Sequence, residues 1–270
     1  MNPKLIKNTF PKILTLLCFL ALPALFYVLT AYLTAAVFQV LLCSIENPSN
    51  AARFLETNLP IIYSGCAAIF TLSILGPLYR SLKKNGSLPA SSKRRFPVSG
   101  YLYVIAFGAL GAIFFNLFME LSRLPELLPT SGTIEAAAGD VNPPLHFLVV
   151  CLILPSAEEL VFRGFGYFGL RRLFSPIFTS VFTAALFGIF HGNAPQTFYG
   201  FCMGLLLAHA TEHCWNLTFP LLFHWAANLT SFFFLQDPAG QPLLYSIPIL
   251  GLSGMGCVWL FYRIKNCNGL

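Results

Sequence analysis

Apolar runs of helical length recur along the whole chain, and they constrain its fold more than any other feature. The runs cover approximately residues 13–42, 59–79, 98–121, 145–162, 176–190, 197–210, 217–235 and 244–262. A helix that crosses a bilayer needs about 20 predominantly apolar residues. Charged residues make up only 10% of the chain, far below the roughly 25% typical of soluble domains. The sequence therefore predicts an all-α, polytopic transmembrane helical bundle with about eight transmembrane helices, and it excludes a soluble globule.

The distribution of lysine and arginine predicts the orientation of this bundle. If successive helices alternate across the membrane, only Arg53 and Arg123 of the 16 basic residues lie on one side. The other side holds the N-terminal tail, the loop 80–95, Arg171 with Arg172, and the C-terminal residues. Basic loops mark the cytoplasm, so we expect an integral multi-pass membrane protein with both termini cytoplasmic. The basic residues form no continuous soluble face, and no nucleic-acid partner is expected.

Composition and motifs divide the chain into four consecutive segments. Polar connectors rich in Gly, Ser and Pro separate the apolar runs near residues 83–97 and 122–144, as is typical of loops. The predicted segments are the N-terminal helices with a basic loop (1–97), a third helix with an outer loop (98–144), a motif-bearing core (145–235) and a C-terminal helix with a basic tail (236–270).

The fourth apolar run contains three charged residues. Glu159 and Arg163 are spaced i,i+4 and can form an ion pair on one helix. Glu158 lies about 100° further round the helix and is left to interact with another partner. Two structural interpretations stay open: a salt-bridged helix end at the membrane interface, or a capping box from Ser156 to Glu159 that restarts the helix after Pro155. Each explains one glutamate, whereas the helix has two.

Two further apolar runs each carry a histidine with a second residue one helical turn away. Phe187 and His191 are spaced i,i+4 in the fifth run, and His224 and Asn228 have the same spacing in the seventh. A single histidine in an apolar helix is usually a packing residue. A carboxylate, two imidazoles and an amide together need polar partners that lipid does not offer, so we expect them to converge in a water-containing cavity. A carboxylate there is suited to act as a general base.

Residues 209–213 offer a competing metal site. The segment reads HATEH, which matches the H-x-x-E-H signature of inverted zinc proteases. Such a site needs a third protein ligand, and the only acid downstream, Asp237, is predicted to lie across the membrane. We therefore interpret His209, Glu212 and His213 as a polar helix end.

Three motifs in this chain resemble those of a known family. EELVFR at 158–163, FGIFH at 187–191 and HWAAN at 224–228 match, in order, E-E-x-x-x-R, F-x-x-x-H and H-x-x-x-N. These are the motifs of the CPBP family, which contains the type II CAAX prenyl endopeptidases and the bacterial Abi (bacteriocin-processing and immunity) membrane proteins. The resemblance covers about Leu145 to Phe234 and shows no departure at the motif positions.

The resemblance implies an eight-helix intramembrane protease. On this analogy Glu158 is the general base that activates water, His191 assists it, and His224 with Asn228 forms the oxyanion hole. Three residues would support the site: Glu159, Arg163 and Phe187. The implied partners are the lipid bilayer and a peptide or protein substrate with a membrane-associated or lipidated segment. The short loops are similar to those of prokaryotic members, which implies a bacterial cell membrane.

The resemblance leaves the cofactor open, because the family has also been described as metalloproteases. A zinc ion, if one is used, would be bound by Glu158, His191 and His224, a His₂Glu set. We favour the metal-free form, because each histidine is alone on its helix. No other cofactor is expected.

Two functions from other classes compete with the protease. One is a non-catalytic membrane scaffold or bacteriocin immunity protein, which the resemblance permits. The other is a transporter or proton relay, since intramembrane Glu and His residues also do that work. Asn228 argues against a relay, because an amide does not titrate but can donate to an oxyanion. The absence of an evident inverted repeat also argues against a transporter.

Overall fold

The computed structural model describes residues 13–44, 50–89, 96–128, 142–234 and 243–266. Within these ranges the chain is helical and contains no strand. The basic N-terminal tail and most of the predicted outer loop fall outside them. The described helices are α1 (Ile13–Cys43), α2 (Asn50–Lys84), α3 (Val98–Leu121), α4 (Leu124–Leu127), α5 (Pro143–Leu170), α6 (Pro176–Ile189), α7 (Ala194–Cys214), α8 (Thr218–Phe234) and α9 (Leu243–Asn266).

Five of the described helices are long and apolar enough to cross a membrane. They are α1, α2 over Thr57–Lys84, α3, α5, and α9 over Ser246–Lys265. Helix α6 is apolar but has only 14 residues, fewer than the 17 or so that a span requires. The prediction of an all-helical, multi-pass membrane protein is confirmed, whereas five of the eight predicted spans meet these requirements.

The helices form two compact units, and each unit combines two stretches of the chain that are separated in the sequence. The first unit contains Met1–Ala90 and Gly132–Phe174, and the second contains Ser91–Ser131 and Ser175–Leu270. The predicted motif-bearing core, 145–235, is therefore divided between the two units. The four segments predicted from the sequence follow the order of the chain and stay a prediction.

In the first unit, α1, α2 and α5 pack through small and hydroxyl-bearing residues. The Thr30 and Thr71 hydroxyls are hydrogen-bonded at 3.1 Å between α1 and α2, and the Thr34 hydroxyl donates to the Tyr63 carbonyl at 3.1 Å. Gly65 on α2 leaves room for the Val149 side chain of α5. Such contacts bring membrane helices together where lipid provides no hydrophobic driving force.

Two of the prolines inside helices of this unit, Pro23 and Pro155, each follow a π-helical segment that ends two residues earlier. Residues Leu17–Ala21 are π-helical ahead of Pro23, and residues Phe147–Ile153 ahead of Pro155. A proline within an α-helix clashes with the carbonyl four residues earlier and lacks the N–H that this carbonyl needs. The wider π turns relieve both problems, so that α1 and α5 continue through their prolines.

The second unit is built from α3, α4 and α6 to α9. Gly108 on α3 lies against the backbone carbonyl of Phe223 on α8, and Gly204 on α7 lies against Ala184 on α6. These glycines allow the helix backbones to approach closely. Close packing in this unit fixes the rotation of α6 and α8, the two helices that carry the histidine motifs.

Candidate functional site

Glu159 and Arg163 form a buried ion pair on α5. Arg163 Nη1 donates to Glu159 Oε1 at 2.8 Å, and the two side chains are 0% and 1% exposed. The i,i+4 pairing predicted from the sequence is confirmed. The interpretation of this pair as a helix end at the interface is wrong, because α5 continues to Leu170 and the pair is enclosed within the protein. Glu159 is therefore held by a structural contact.

The predicted capping box at Ser156 is also wrong. The Ser156 hydroxyl donates to the Leu152 carbonyl at 2.6 Å, one turn back along α5. A capping serine would instead accept a hydrogen bond at the start of a helix, and no helix starts here. The hydroxyl satisfies a carbonyl within a continuous helix, so that Glu159 has no capping role.

Glu158 has a different environment from its neighbour. It is half-buried and lies in the short α-helical segment Leu154–Glu159, between the π-helical segments Phe147–Ile153 and Leu160–Tyr167. Its carboxylate lies within electrostatic range of Arg163 on the same helix and of Tyr27 on α1. π-helical turns inside α-helices often occur at functional sites. The structure thus separates two adjacent glutamates: one is enclosed in an ion pair, and the other retains an accessible face.

In the second unit, the end of α6 fixes the orientation of His191. Its Nδ1 is 2.8 Å from the Phe187 carbonyl oxygen. A carbonyl only accepts, so Nδ1 is the donor and Nε2 of the neutral ring carries the lone pair. Gly192 follows with a φ of 79° and turns the chain. Gly200 on α7 gives the imidazole room, since an added Cβ there would be 3.2 Å from Nδ1.

Phe187 contacts both histidines of the predicted site. Its ring centroid is 4.9 Å from that of His191 and 5.7 Å from that of His224, with interplanar angles of 81° and 83°. His224 is buried, and Asn228 is half-buried one turn further along α8. The second unit therefore brings Phe187, His191 and His224 together, with Asn228 on the same face of α8 as His224.

A half-buried polar network extends this face of α8, and the sequence alone did not reveal it. Asn116 Nδ2 on α3 lies 3.2 Å from the Tyr199 hydroxyl on α7 and 3.4 Å from the Ser231 hydroxyl on α8. Ser231 follows Asn228 by three residues, which places it near the same helix face. The sequence does show an amide and two hydroxyls inside apolar runs, but their spacing does not indicate that the three side chains contact one another.

An apolar cavity adjoins the turn that carries His191. Its volume is about 690 Å³, within the range of about 300 to 1,000 Å³ that is usual for ligand pockets. The lining residues come from α4, α6 and α7 and include Leu124, Leu128, Ile189, Gly192, Phe198 and Phe201. A cavity of this size and lining suits an apolar chain rather than a polar ligand.

The HATEH segment packs as a helix end and does not gather ligands. The His209 ring stacks on Phe261 with centroids 3.6 Å apart, and its Nε2 is 3.0 Å from the Phe261 carbonyl oxygen. In the part of the chain that the structure describes, no group of three or more His, Cys, Asp or Glu side chains is placed to hold a metal ion. His209 therefore joins α7 to α9.

Comparison with protein families finds one match. Residues 140–230 match the family model described as "Type II CAAX prenyl endopeptidase Rce1-like", and all three motifs lie within that range. This stretch of the chain is therefore similar to the type II CAAX prenyl endopeptidases, in agreement with the resemblance of its motifs. The same comparison finds no match among the curated proteins and none among the solved structures. The long apolar helices indicate an integral membrane protein, and its segment 140–230, called here the Rce1-like segment, is similar to a family of membrane proteases.

The Rce1-like segment contributes to both units. The first unit contains Glu158 with the Glu159–Arg163 pair, and the second contains the residues placed around Phe187. Each group has its own supports: an ion pair in the first, and an aromatic ring with a carbonyl contact in the second. These supports position the groups on which a hydrolytic mechanism would depend.

Proposed function

We propose that this protein is an intramembrane endopeptidase that hydrolyses a peptide bond near the membrane surface. The observation that carries the proposal is the Rce1-like match over all three motifs, combined with the engagement of Glu159 by Arg163. Because Glu159 is held in an ion pair, Glu158 is the glutamate of the motif that is suited to proton transfer. The proposal assigns the chemistry to Glu158 and the support to Glu159.

In this mechanism Glu158 is the general base, assisted by His191. The carboxylate accepts a proton from water as the water oxygen attacks the carbonyl carbon of the scissile bond. The tetrahedral intermediate then expels the amine, which takes up from the Glu158 carboxyl group the proton that the water lost, as the carbon–nitrogen bond breaks. His191 assists the first of these steps: its Nε2, left to accept when Nδ1 donates to the Phe187 carbonyl, accepts a hydrogen bond from the attacking water.

His224 and Asn228 are the proposed oxyanion hole. The Asn228 amide donates without carrying a charge, and a neutral imidazole likewise has one N–H donor. Their i,i+4 spacing on α8 places both donors on one face of the helix. One such donor is worth about 2.7 to 4 kcal/mol of transition-state stabilisation in known hydrolases. The enclosed position of His224 fits this role, since such interactions are strongest where water is excluded.

The proposed mechanism routes no step through a metal. A zinc ion, if one were bound, would use Glu158, His191 and His224 as a His₂Glu set. We favour the metal-free form because each histidine is alone on its helix. We expect the purified protein to keep its cleavage activity after treatment with a chelator. A loss of cleavage activity that is restored by added zinc would contradict the metal-free mechanism.

The proposed substrate is a peptide or protein with a membrane-associated or lipidated segment. The apolar cavity of about 690 Å³ beside the His191 turn supports this substrate class. An apolar group held there would anchor the substrate next to a proposed catalytic residue. We further propose that the protein lies in a bacterial cell membrane with both termini in the cytoplasm, as the distribution of basic residues indicates.

The deciding experiment is a map of new peptide termini in membranes from cells that carry matched amounts of the wild type or one variant. Glu158→Gln and His191→Ala should each remove the same set of termini. Glu120→Gln, which changes an exposed glutamate of α3, is the matched control and should leave the set intact. Identical maps for all variants, with a deletion phenotype still rescued by Glu158→Gln, would instead indicate a scaffold or immunity protein.

A double variant tests whether Glu158 and His191 act in one step. Residues that act as a unit in catalysis show strongly non-additive losses. We expect Glu158→Gln with His191→Ala to be hardly slower than Glu158→Gln alone. Losses that multiply would show that the two residues contribute independently, which would contradict a shared role in activating water.

A further inference from the structure

Helix α1 lies outside the Rce1-like segment, yet it packs tightly on α5. Gly166 of α5 faces the side chain of Leu20, and Gly169 faces that of Phe19. A Cβ at either glycine would overlap these side chains, so the two helices touch here with no spare room. As the residue number rises along α1 it falls along α5, and the two helices therefore run antiparallel within the first unit.

This antiparallel register brings Tyr27 to the level of Glu158. Tyr27 follows Leu20 by seven residues, which is about two α-helical turns on the same face, or roughly 10 Å. Glu158 precedes Gly166 by eight residues, and most of that stretch is π-helical. Because π turns contain more residues than α turns, these eight residues also make about two turns. Tyr27 and Glu158 therefore lie at the same height on facing sides of the helix pair.

The surroundings of Tyr27 agree with this register. Its side chain is only 5% exposed, and it lies within electrostatic range of the Glu158 carboxylate. A tyrosine on an apolar transmembrane helix carries one polar atom that must find a polar partner. A hydroxyl is a donor, and a carboxylate is the strongest acceptor among neutral-pH side chains.

We propose that Tyr27 is a positioning residue for Glu158, and this inference rests on the proposed function. Its hydroxyl fixes the direction of the Glu158 carboxylate and thereby the face from which that carboxylate takes a proton from water. Tyr27 does not touch the reacting atoms. Helix α1, which lies outside the family match, thereby helps to orient the proposed general base.

The test compares two buried tyrosines of the same unit. Tyr27→Phe removes the hydroxyl and keeps the ring, and Tyr79→Phe is the matched control. Tyr79 is also buried, but within the described chain its hydroxyl has no hydrogen-bond partner. Tyr27→Phe should lower kcat about 10-fold to 100-fold, with KM and the melting temperature nearly unchanged. Tyr79→Phe should leave kcat at the wild-type level.

Three further variants distinguish a failure of this inference from a failure of the proposed function. In the Glu158→Gln background, adding Tyr27→Phe should cause no further loss, because a positioning residue acts only through the group that it positions. A wild-type kcat for Tyr27→Phe, with the kcat of Glu158→Gln reduced to a low residual value, would overturn this inference alone. A wild-type kcat for Glu158→Gln would overturn the proposed function itself. Tyr27→Leu serves as the check on packing: a fall in kcat equal to that of Tyr27→Phe would confirm the hydroxyl as the source of the effect.

Discussion

Replacing Arg163 by methionine should strongly destabilise the protein. Arg163→Met keeps most of the side-chain volume but leaves the Glu159 carboxylate enclosed without its ion-pair partner. The pair is 2.8 Å long and its side chains are 0% and 1% exposed, so water cannot replace the lost partner. Breaking such a buried pair costs about 3 to 5 kcal/mol. At about 1.4 kcal/mol per factor of ten, the folded-to-unfolded ratio should fall by at least about 100-fold.

The assay is denaturant-induced unfolding in detergent micelles, with the free energy of unfolding compared between variants. Arg80→Met is the matched control, because Arg80 is exposed on α2 of the same unit, and it should change the free energy by no more than about 0.5 kcal/mol. Adding Glu159→Gln should recover part of the loss, since a neutral amide is less costly to enclose than an unpaired carboxylate. A loss under 1 kcal/mol for Arg163→Met, or a further loss on adding Glu159→Gln, would refute this reasoning.

Three further predictions concern the second unit. Asn228→Ala should lower kcat about 100-fold to 1,000-fold with little change in KM, measured as the rate of peptide release; an unchanged kcat would remove Asn228 from the oxyanion hole. Gly108→Ala should destabilise the protein by about 1 to 3 kcal/mol, because the added Cβ would overlap the Phe223 carbonyl. The measurement is thermal unfolding, with Gly76→Ala as the control because a Cβ at that position meets no atom. Equal melting temperatures for the two variants would contradict the close packing at Gly108. Ala185→Phe, which fills part of the apolar cavity, should raise KM for substrates with a large apolar group; an unchanged KM would separate the cavity from substrate binding.

Much of the fold could be predicted from the sequence, because apolar length alone identifies helices that cross a membrane. Contacts within one helix were equally accessible: the i,i+4 rule found the Glu159–Arg163 pair, and it placed His191 one turn after Phe187. The predicted end of the fourth apolar run, residue 162, lies eight residues before the end of α5 at Leu170. A charged Arg163 indicates a helix end as long as its burial is unknown, and only the surrounding structure shows that the charge is enclosed.

Contacts between helices could not be predicted in the same way. Asn116, Tyr199 and Ser231 meet from three different helices, and no fixed spacing in the sequence relates three such positions. The capping box at Ser156 failed for a related reason. Its residues fit the motif, but the π-helical segment before Pro155 lets the helix continue, so the serine donates to a carbonyl instead of starting a helix. Local sequence patterns indicate which interactions a residue can make, and the packing of the helices determines which of them form.

Phe187 shows why the spacing F-x-x-x-H suits the chemistry proposed for the second unit. Its carbonyl accepts from His191 Nδ1, and its ring packs nearly perpendicular to both imidazoles. One residue therefore sets the tautomer of His191 through its backbone, and the orientation of His191 and His224 through its side chain. The two histidines come from different helices and have different proposed roles. A ring that touches both makes water activation and oxyanion binding depend on the same packing, so that α6 and α8 must be correctly seated before either role is available.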